Sequence, residues 1–380
     1  MKKITTVLVL VFMLIIPASA YGTYVVLHSG ISAPSSSPSP TLTPPPSSSP
    51  SPSSTSTPSP SSVTVMDGRN ESITIDLPVE RIISLNSGLT EIFVAMGCQD
   101  ILIGRDESST LPPSVLSVPV VGANAYVPNV ELIIEMEPDV VFADSMLAYN
   151  DVAMQQLIDA GITLFITDSS SPEAAELEEL TPSTPTPVDF TCELMQTLSL
   201  IVGHEDVVEE FTEYVQYYNN LVRNRLATLT RDQKPVVFLE WYKRYYSFQT
   251  PNIYQAGGIN IAENITLYAP QLNAEFVVEQ NPDVIIRLIS SQEHREKDFI
   301  EMKTEIMSRT ELADVAAVKN GRVYICDYAF RGGIHCIAGY VAWAKWCQPD
   351  LFDDIDPDAI FQEVNEKFFG TTIEGVFKYP

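Results

Sequence analysis

Asn129-Val-Glu-Leu-Ile-Ile-Glu-Met-Glu-Pro-Asp-Val-Val141 returns, without a gap, as Asn273-Ala-Glu-Phe-Val-Val-Glu-Gln-Asn-Pro-Asp-Val-Ile285. Asn, Glu, Glu, Pro, Asp and Val coincide, and the apolar positions between them match in kind. Each copy spells a short helix capped by Asn129 or Asn273, with Glu131 or Glu275 in the first turn, where the helix dipole favours a carboxylate. Pro138 or Pro282 then ends the helix ahead of a buried strand. A module present twice and far apart predicts two similar lobes, because a solenoid would repeat it in short contiguous units.

Working outward, residues 81–85 form an apolar run that ends in a small-residue turn, Asn86, Ser87 and Gly88, before helical periodicity over 89–96. Similar β-rich runs stand at 140–143, 163–166, 236–239, 284–286 and 323–325, and 63–76 reads as a hairpin around Asp67-Gly68. Strands fed into helices through tight turns predict an α/β chain with two Rossmann-like lobes around mostly parallel sheets. Between the lobes, residues 206–229 carry an unbroken helical stripe with no Gly or Pro, spanning about 35 Å at about 1.5 Å per residue. The expected organisation is an N-terminal lobe over 63–189, a helical connection over 190–230 and a C-terminal lobe over 231–380. One long connecting helix hinges less freely than flexible strands, so ligand closure should be small.

The 380-residue chain has large non-globular ends to discount. Met1, Lys2 and Lys3 precede an apolar run over 4–16, and Ala18-Ser19-Ala20 has the pattern of a signal peptidase site, so residues 1–30 are a signal peptide or an uncleaved membrane anchor. Either way the rest lies outside the cytoplasm, on the cell surface or secreted. Residues 31–62 are almost wholly Ser, Pro and Thr, an extended stalk that buries nothing. The net charge of -27 argues against nucleic acid as a partner. Five cysteines, Cys98, Cys192, Cys326, Cys336 and Cys347, show no zinc spacing. They read as buried thiols, with a disulfide among the last three left open. Asn70-Glu71-Ser72 and Asn264-Ile265-Thr266 have the form of N-glycosylation sequons.

In order and spacing the chain resembles the iron-siderophore, haem and cobalamin binding proteins of ABC importers, the class whose lobes are bridged by a single helix. The resemblance rests on residues 81–91 with Gly97 and Gly104, Val121-Gly122, Asn129-Val-Glu131 with Pro138-Asp139, residues 256–262, Pro282-Asp283 and residues 318–324. It implies a monomeric protein that binds a metal complex between its lobes, needs no cofactor and catalyses nothing. It also implies that Glu131 and Glu275 dock onto basic residues of the permease. Members of the family, the archaeal ones especially, often carry Gly-x-Arg after the last strand, whereas this chain has Gly333-Ile334-His335.

Ligands of open α/β sheets sit beyond the carboxyl ends of the strands. Counting from those ends, the N-lobe offers Asn86, Ser87, Tyr126, Ser145 and Asp168. The C-lobe offers Trp241, Tyr242, Arg244, Tyr245, Arg287, Phe330, Arg331 and His335. Aromatics interleaved with cations over 240–246 suit a planar or chelated ligand through stacking and charge-assisted hydrogen bonds. No nucleophile with base and orienter, no metal-ligand motif and no phosphate-binding glycine loop can be assembled. An adhesin or structural surface domain on a stalk is the alternative. It leaves the twofold Glu module unexplained.

Overall fold

The alternating pattern of apolar residues, one facing each side of a strand, sorts the interior of this protein into three layers of core. The computed structural model describes residues 61–167, 185–241, 243–248, 250–265, 267, 269–290 and 293–380. The N-terminal apolar segment, most of the stalk, Asp168 and Tyr242 lie outside the described residues.

The first lobe opens with the antiparallel hairpin β1 (Ser62–Met66) and β2 (Ser72–Asp76). Asp67 turns it by accepting the backbone N–H groups of Arg69 and Glu71. Then follow β3 (Ile82–Ser84), α1 (Ser87–Ala95), β4 (Leu102–Arg105), the small hairpin β5 (Gly122–Asn124) and β6 (Val127–Pro128), α2 (Val130–Glu135), β7 (Val140–Asp144), α3 (Asp151–Asp159) and β8 (Leu164–Thr167). The main sheet is parallel, in the order β4-β3-β7-β8.

The connection is a helical hairpin, α4 (Pro187–Val202) and α5 (Glu205–Leu226), rather than one helix alone. The 22 residues of α5 span about 33 Å. Asp189 locks the pair: it closes a capping box with Thr186 at the start of α4 and accepts from Gln216, Asn219 and Arg223 on α5.

The second lobe contains β9 (Val236–Trp241), α6 (Pro251–Gln255), β10 (Ile259–Asn260), α7 (Ala274–Gln280), β11 (Val284–Ile289), α8 (Glu296–Met307), α9 (Ala316–Lys319), β12 (Val323–Asp327), α10 (Cys336–Cys347), α11 (Pro357–Phe368) and β13 (Lys378–Tyr379). Its sheet runs β10-β9-β11-β12-β13, parallel except for the last strand. The chain is therefore mixed α/β with parallel sheets.

Ile82, Val140 and Phe142 of the first sheet share one continuous core with Leu239, Ile286 and Leu288 of the second, through Phe211 and Val215 of α5 and nearly every residue of α10. The opposite faces have cores of their own, Ile83, Val141 and Ile166 in one lobe and Phe238, Ile285 and Ile325 in the other. Sharing the middle layer ties the lobes together. The five cysteines are free and buried, so none of Cys326, Cys336 and Cys347 is bridged.

A polar contact crosses the same middle layer. His335, fully buried, places Nδ1 3.0 Å from Glu91 Oε2 on α1 and Nε2 2.9 Å from Asn365 Oδ1 on α11. Its ring stacks on Phe361 at 4.3 Å. The backbone beside it approaches α1 so closely that a β-carbon on Gly333 would lie 2.9 Å from the Gly88 carbonyl oxygen and 2.5 Å from Glu91 Oε2. His335→Ala leaves Glu91 buried without its partner and should cost about 3–5 kcal/mol in denaturant unfolding. Glu91→Gln keeps a donor for Nδ1 and should cost distinctly less. A loss below about 1 kcal/mol for His335→Ala would show that the contact does not hold the lobes, given what a broken buried pair costs.

Candidate ligand-binding cleft

The carboxyl ends of parallel strands leave backbone groups and short turns facing one way, and here the ends from both sheets converge. The turn after β3 starts α1 at Ser87, and the segment after β12 brings Gly333 against Gly88. The residues around that approach are the candidate walls of a ligand site.

On the N-lobe side, Asn86 caps α1 by accepting from Leu89 N, which aims its Nδ2 at Asp144 Oδ2, 2.8 Å away. Asp144, the last residue of β7, also accepts from Met146 N at 2.9 Å. Behind it lies Asp106, fully buried just after β4 and held by the hydroxyls of Ser108 and Ser109. Burial pushes both carboxyls up, and the negative charge of Asp144 pushes Asp106 further the same way. Ser87 and Ser145 are half-buried beside them. Tyr126, Met146 and Tyr149 form an exposed apolar lip, bound together where Asn150 donates to the Tyr126 carbonyl.

On the C-lobe side, the run that begins at Trp241 divides between two faces. Trp241 is half-buried and packs edgewise on Phe248 and Tyr328, with ring centroids 5.7 and 6.4 Å away. Lys243 is exposed, 5.3 Å from the Tyr246 ring. Arg331 lies over Tyr328 at 5.5 Å and over Trp343 at 5.0 Å.

Five residues expected in the cleft are placed elsewhere. Arg244 pairs with Glu311 at 2.9 Å, and Tyr245 donates to the same carboxylate at 2.7 Å. Arg287 stands in register opposite Glu240 on β9 and pairs with it at 3.4 Å. Arg244 and Arg287 line a groove of about 480 Å³ whose walls, completed by Asp298, Glu301, Met302, Glu305 and Arg309, belong wholly to the C-lobe. Tyr245 flanks this groove, stacked on Phe238 of the outer core. Arg309 meets Glu240 through two hydrogen bonds of 2.7 and 2.9 Å, so the cluster is closed by the lobe's own acids. The fourth, His335, is the interior bridge described above. The fifth, Phe330, is also a core residue, stacked on Phe361. Asp144, Asp106 and Tyr328 were not singled out by sequence; Asp144 was missed by one residue, since the strand runs one position further than its apolar stretch.

Glu131 and Glu275 are exposed in the first turns of α2 and α7, and Asn129 and Asn273 cap those helices by accepting from Leu132 N and Phe276 N. The module's Asp has a shared task as well. Asp139 accepts from Glu80 N and Arg81 N just before β3, and Asp283 accepts from Val236 N at the start of β9.

At the end of β12, His294 sits 3.7 Å from Asp327 and packs on Phe377 at 4.2 Å. Burial pushes the imidazole down to about 4. The folded state therefore holds this histidine neutral, while the unfolded chain takes up a proton below about 6.5. Its contribution to stability is full above pH 6.5 and is lost as the pH falls toward 4. His294→Asn, which tolerates the left-handed backbone found there, should flatten the stability profile across that window in denaturant titrations at pH 4.5 and 7. An unchanged slope would place the acid sensitivity elsewhere.

Among the described residues no three His, Cys, Asp or Glu gather as a metal site. The chain is 26% identical over 308 residues to an uncharacterised ABC transporter substrate-binding lipoprotein, YvrC, of Bacillus subtilis, covering 77% of this chain and 87% of that one. It is 27% identical over 242 residues to a cobalamin-binding protein of Halobacterium salinarum, a match spanning 60% of this chain and 59% of the relative. The fold matches that of a TroA-like periplasmic binding protein, FepB, of Veillonella parvula, with a TM-score of 0.64 at 22% identity over 83% of this chain and 99% of that structure. Residues 82–329, which hold the helical hairpin and every strand of the two main sheets except β13, match the periplasmic binding protein family, and the chain belongs to that family.

Proposed function

We propose that this protein captures a metal complex of the iron-siderophore, haem or corrinoid kind outside the cytoplasm and hands it to the permease of an ABC importer without changing it chemically. The observation that carries this reading is the convergence of strand ends from two lobes around Gly88 and Gly333. An exposed apolar lip lies on one side and half-buried Trp241 with Tyr328 on the other. Such walls hold a bulky, partly planar solute by burial and ring contact. The cobalamin-binding relative supports the same class of cargo. Ser87, Asn86 and Ser145 supply polar contacts on the N-lobe wall, and Arg331 a cation on the other.

Trp241 should report the event. Its fluorescence should change on titration with cyanocobalamin, haemin or a ferric siderophore, and Trp241→Ala should weaken binding of the responsive complex by about tenfold, as expected for an aromatic hot spot. An unchanged dissociation constant would remove Trp241 from the binding wall.

Delivery uses Glu131 and Glu275. Each stands exposed at a helix start, one on either lobe, where a carboxylate gains about 0.3–1 kcal/mol from the dipole. That local gain alone explains an acid at each place, so the test separates stability from docking. A Glu131→Arg, Glu275→Arg double variant should fold and bind cargo as the parent does but fail to support uptake, because reversed charge opposes association with a basic permease rim. Full uptake by a variant that folds and binds would sink the docking role.

A further inference from the structure

The two walls of the cleft differ in charge. Two acids stand at the N-lobe strand ends bordering Asn86, Asp106 just after β4 and Asp144 at the end of β7, while the one cation beside them, Arg105 at the end of β4, is buried with its guanidinium donating to the backbone carbonyls of Asp106, Ser109 and Val115. The Asn86 amide is fixed by its cap to Leu89 N, so it turns its donor toward Asp144 and leaves the carboxylate in place at the cleft. A carboxylate has about four acceptor positions. Two are met here, by Asn86 Nδ2 and Met146 N, so Asp144 retains capacity for donors presented by a solute.

The other wall is cationic and aromatic. Lys243 is exposed beside Tyr246, and Arg331 lies over Tyr328. The remaining arginines near these strand ends, Arg244, Arg287 and Arg309, are bound to Glu311, Glu240 and Glu305 of the same lobe. They cannot neutralise a ligand that carries negative charge on all sides without giving up those acids.

We propose that Asp144 is a specificity-determining residue, which turns away complexes that are anionic all round and takes a complex that presents hydrogen-bond donors to the N-lobe and its flat face to the C-lobe. This rests on the cargo reading above and goes further, since it selects within that class. A corrinoid, with peripheral amides and no net negative charge, has the required edge. A ferric tris-catecholate does not. An anionic group brought beside Asp144 at the effective dielectric of a protein surface loses roughly tenfold or more in affinity.

The experiment titrates the full-length chain with cyanocobalamin, haemin and a ferric tris-catecholate, read by tryptophan fluorescence. The parent should bind cyanocobalamin at least about tenfold more tightly than the tris-catecholate, following the same Coulomb estimate. Asp144→Asn, close to isosteric and uncharged, should narrow that ratio by about tenfold, and Asp144→Glu should retain it. An unchanged ratio in an Asp144→Asn protein with the parent's melting temperature overturns the proposal, as does a tris-catecholate that binds tightest. Should Asp144→Asn fail to fold, Asp144→Ser is measured in its place under the same criteria. Preference for the anionic complex removes the role of Asp144 but leaves the cargo class standing, whereas binding of none of the three defeats the cargo class and this inference with it.

Discussion

Glu91, His335 and Asn365 form a hydrogen-bonded chain with almost no contact with water, and its proton count is constrained. Asn365 donates its amide to the Phe361 carbonyl, so its Oδ1 faces His335 as an acceptor and Nε2 must carry a proton. Nδ1 and Glu91 Oε2, 3.0 Å apart, can then share one proton but cannot both be without it. Burial pushes the Glu91 carboxyl up, which favours keeping that proton within the pair. The contact joins α1 of the first lobe to α11 of the second. Since α1 begins at the Asn86 cap, the same contact fixes where the N-lobe wall stands relative to the turn containing Gly333.

The module that repeats in the sequence owes its form to a backbone problem met once in each lobe. A short exposed helix must stop and enter a buried strand within a few residues. Both copies stop it with a residue in the left-handed region just before the proline, Glu137 at φ 45° and Asn281 at φ 44°. Both then use the following Asp to accept N–H groups where a neighbouring strand begins. The strands were legible for a related reason: they are buried on both faces, so they read as continuous apolar runs whatever lies beyond them. The paired helices of the connection were half legible. The second has an amphipathic stripe, whereas the first is joined to it by Gly203 and His204, both at positive φ, and its packing depends on contacts far away in sequence.

The cleft was less legible, because strand position says where a residue is and not which way it faces. The 240–246 run looked like one aromatic and cationic surface. Tyr245 adopts a left-handed conformation, and the loop delivers Arg244 and Tyr245 to Glu311, an acid that no local pattern connects to them. His335 illustrates a signal that was available. It immediately precedes α10, whose residues 336–347 are apolar nearly all round, and a helix of that kind has to be buried. The turn that leads into such a helix enters the interior with it, so a polar residue there needs interior partners, and Glu91 and Asn365 serve as those partners.

The shared core also bears on how a strongly acidic protein can serve a membrane partner. With 49 Asp and Glu against 22 Lys and Arg, the surface field is negative over long distances, and such a field speeds approach to a basic surface more than it strengthens the final contact. Under the docking role proposed for Glu131 and Glu275, final recognition falls to charges whose spacing is fixed. Glu131 and Glu275 lie at the starts of α2 and α7, each helix braced by the same cap and carried on a sheet that contributes to the middle core. A hinge between freely moving lobes would let that spacing vary. Because one core runs through both lobes and α5, a change between the lobes can alter the spacing only by shifting packed layers, so the proposed docking role requires a bound solute to act at the rim through small displacements.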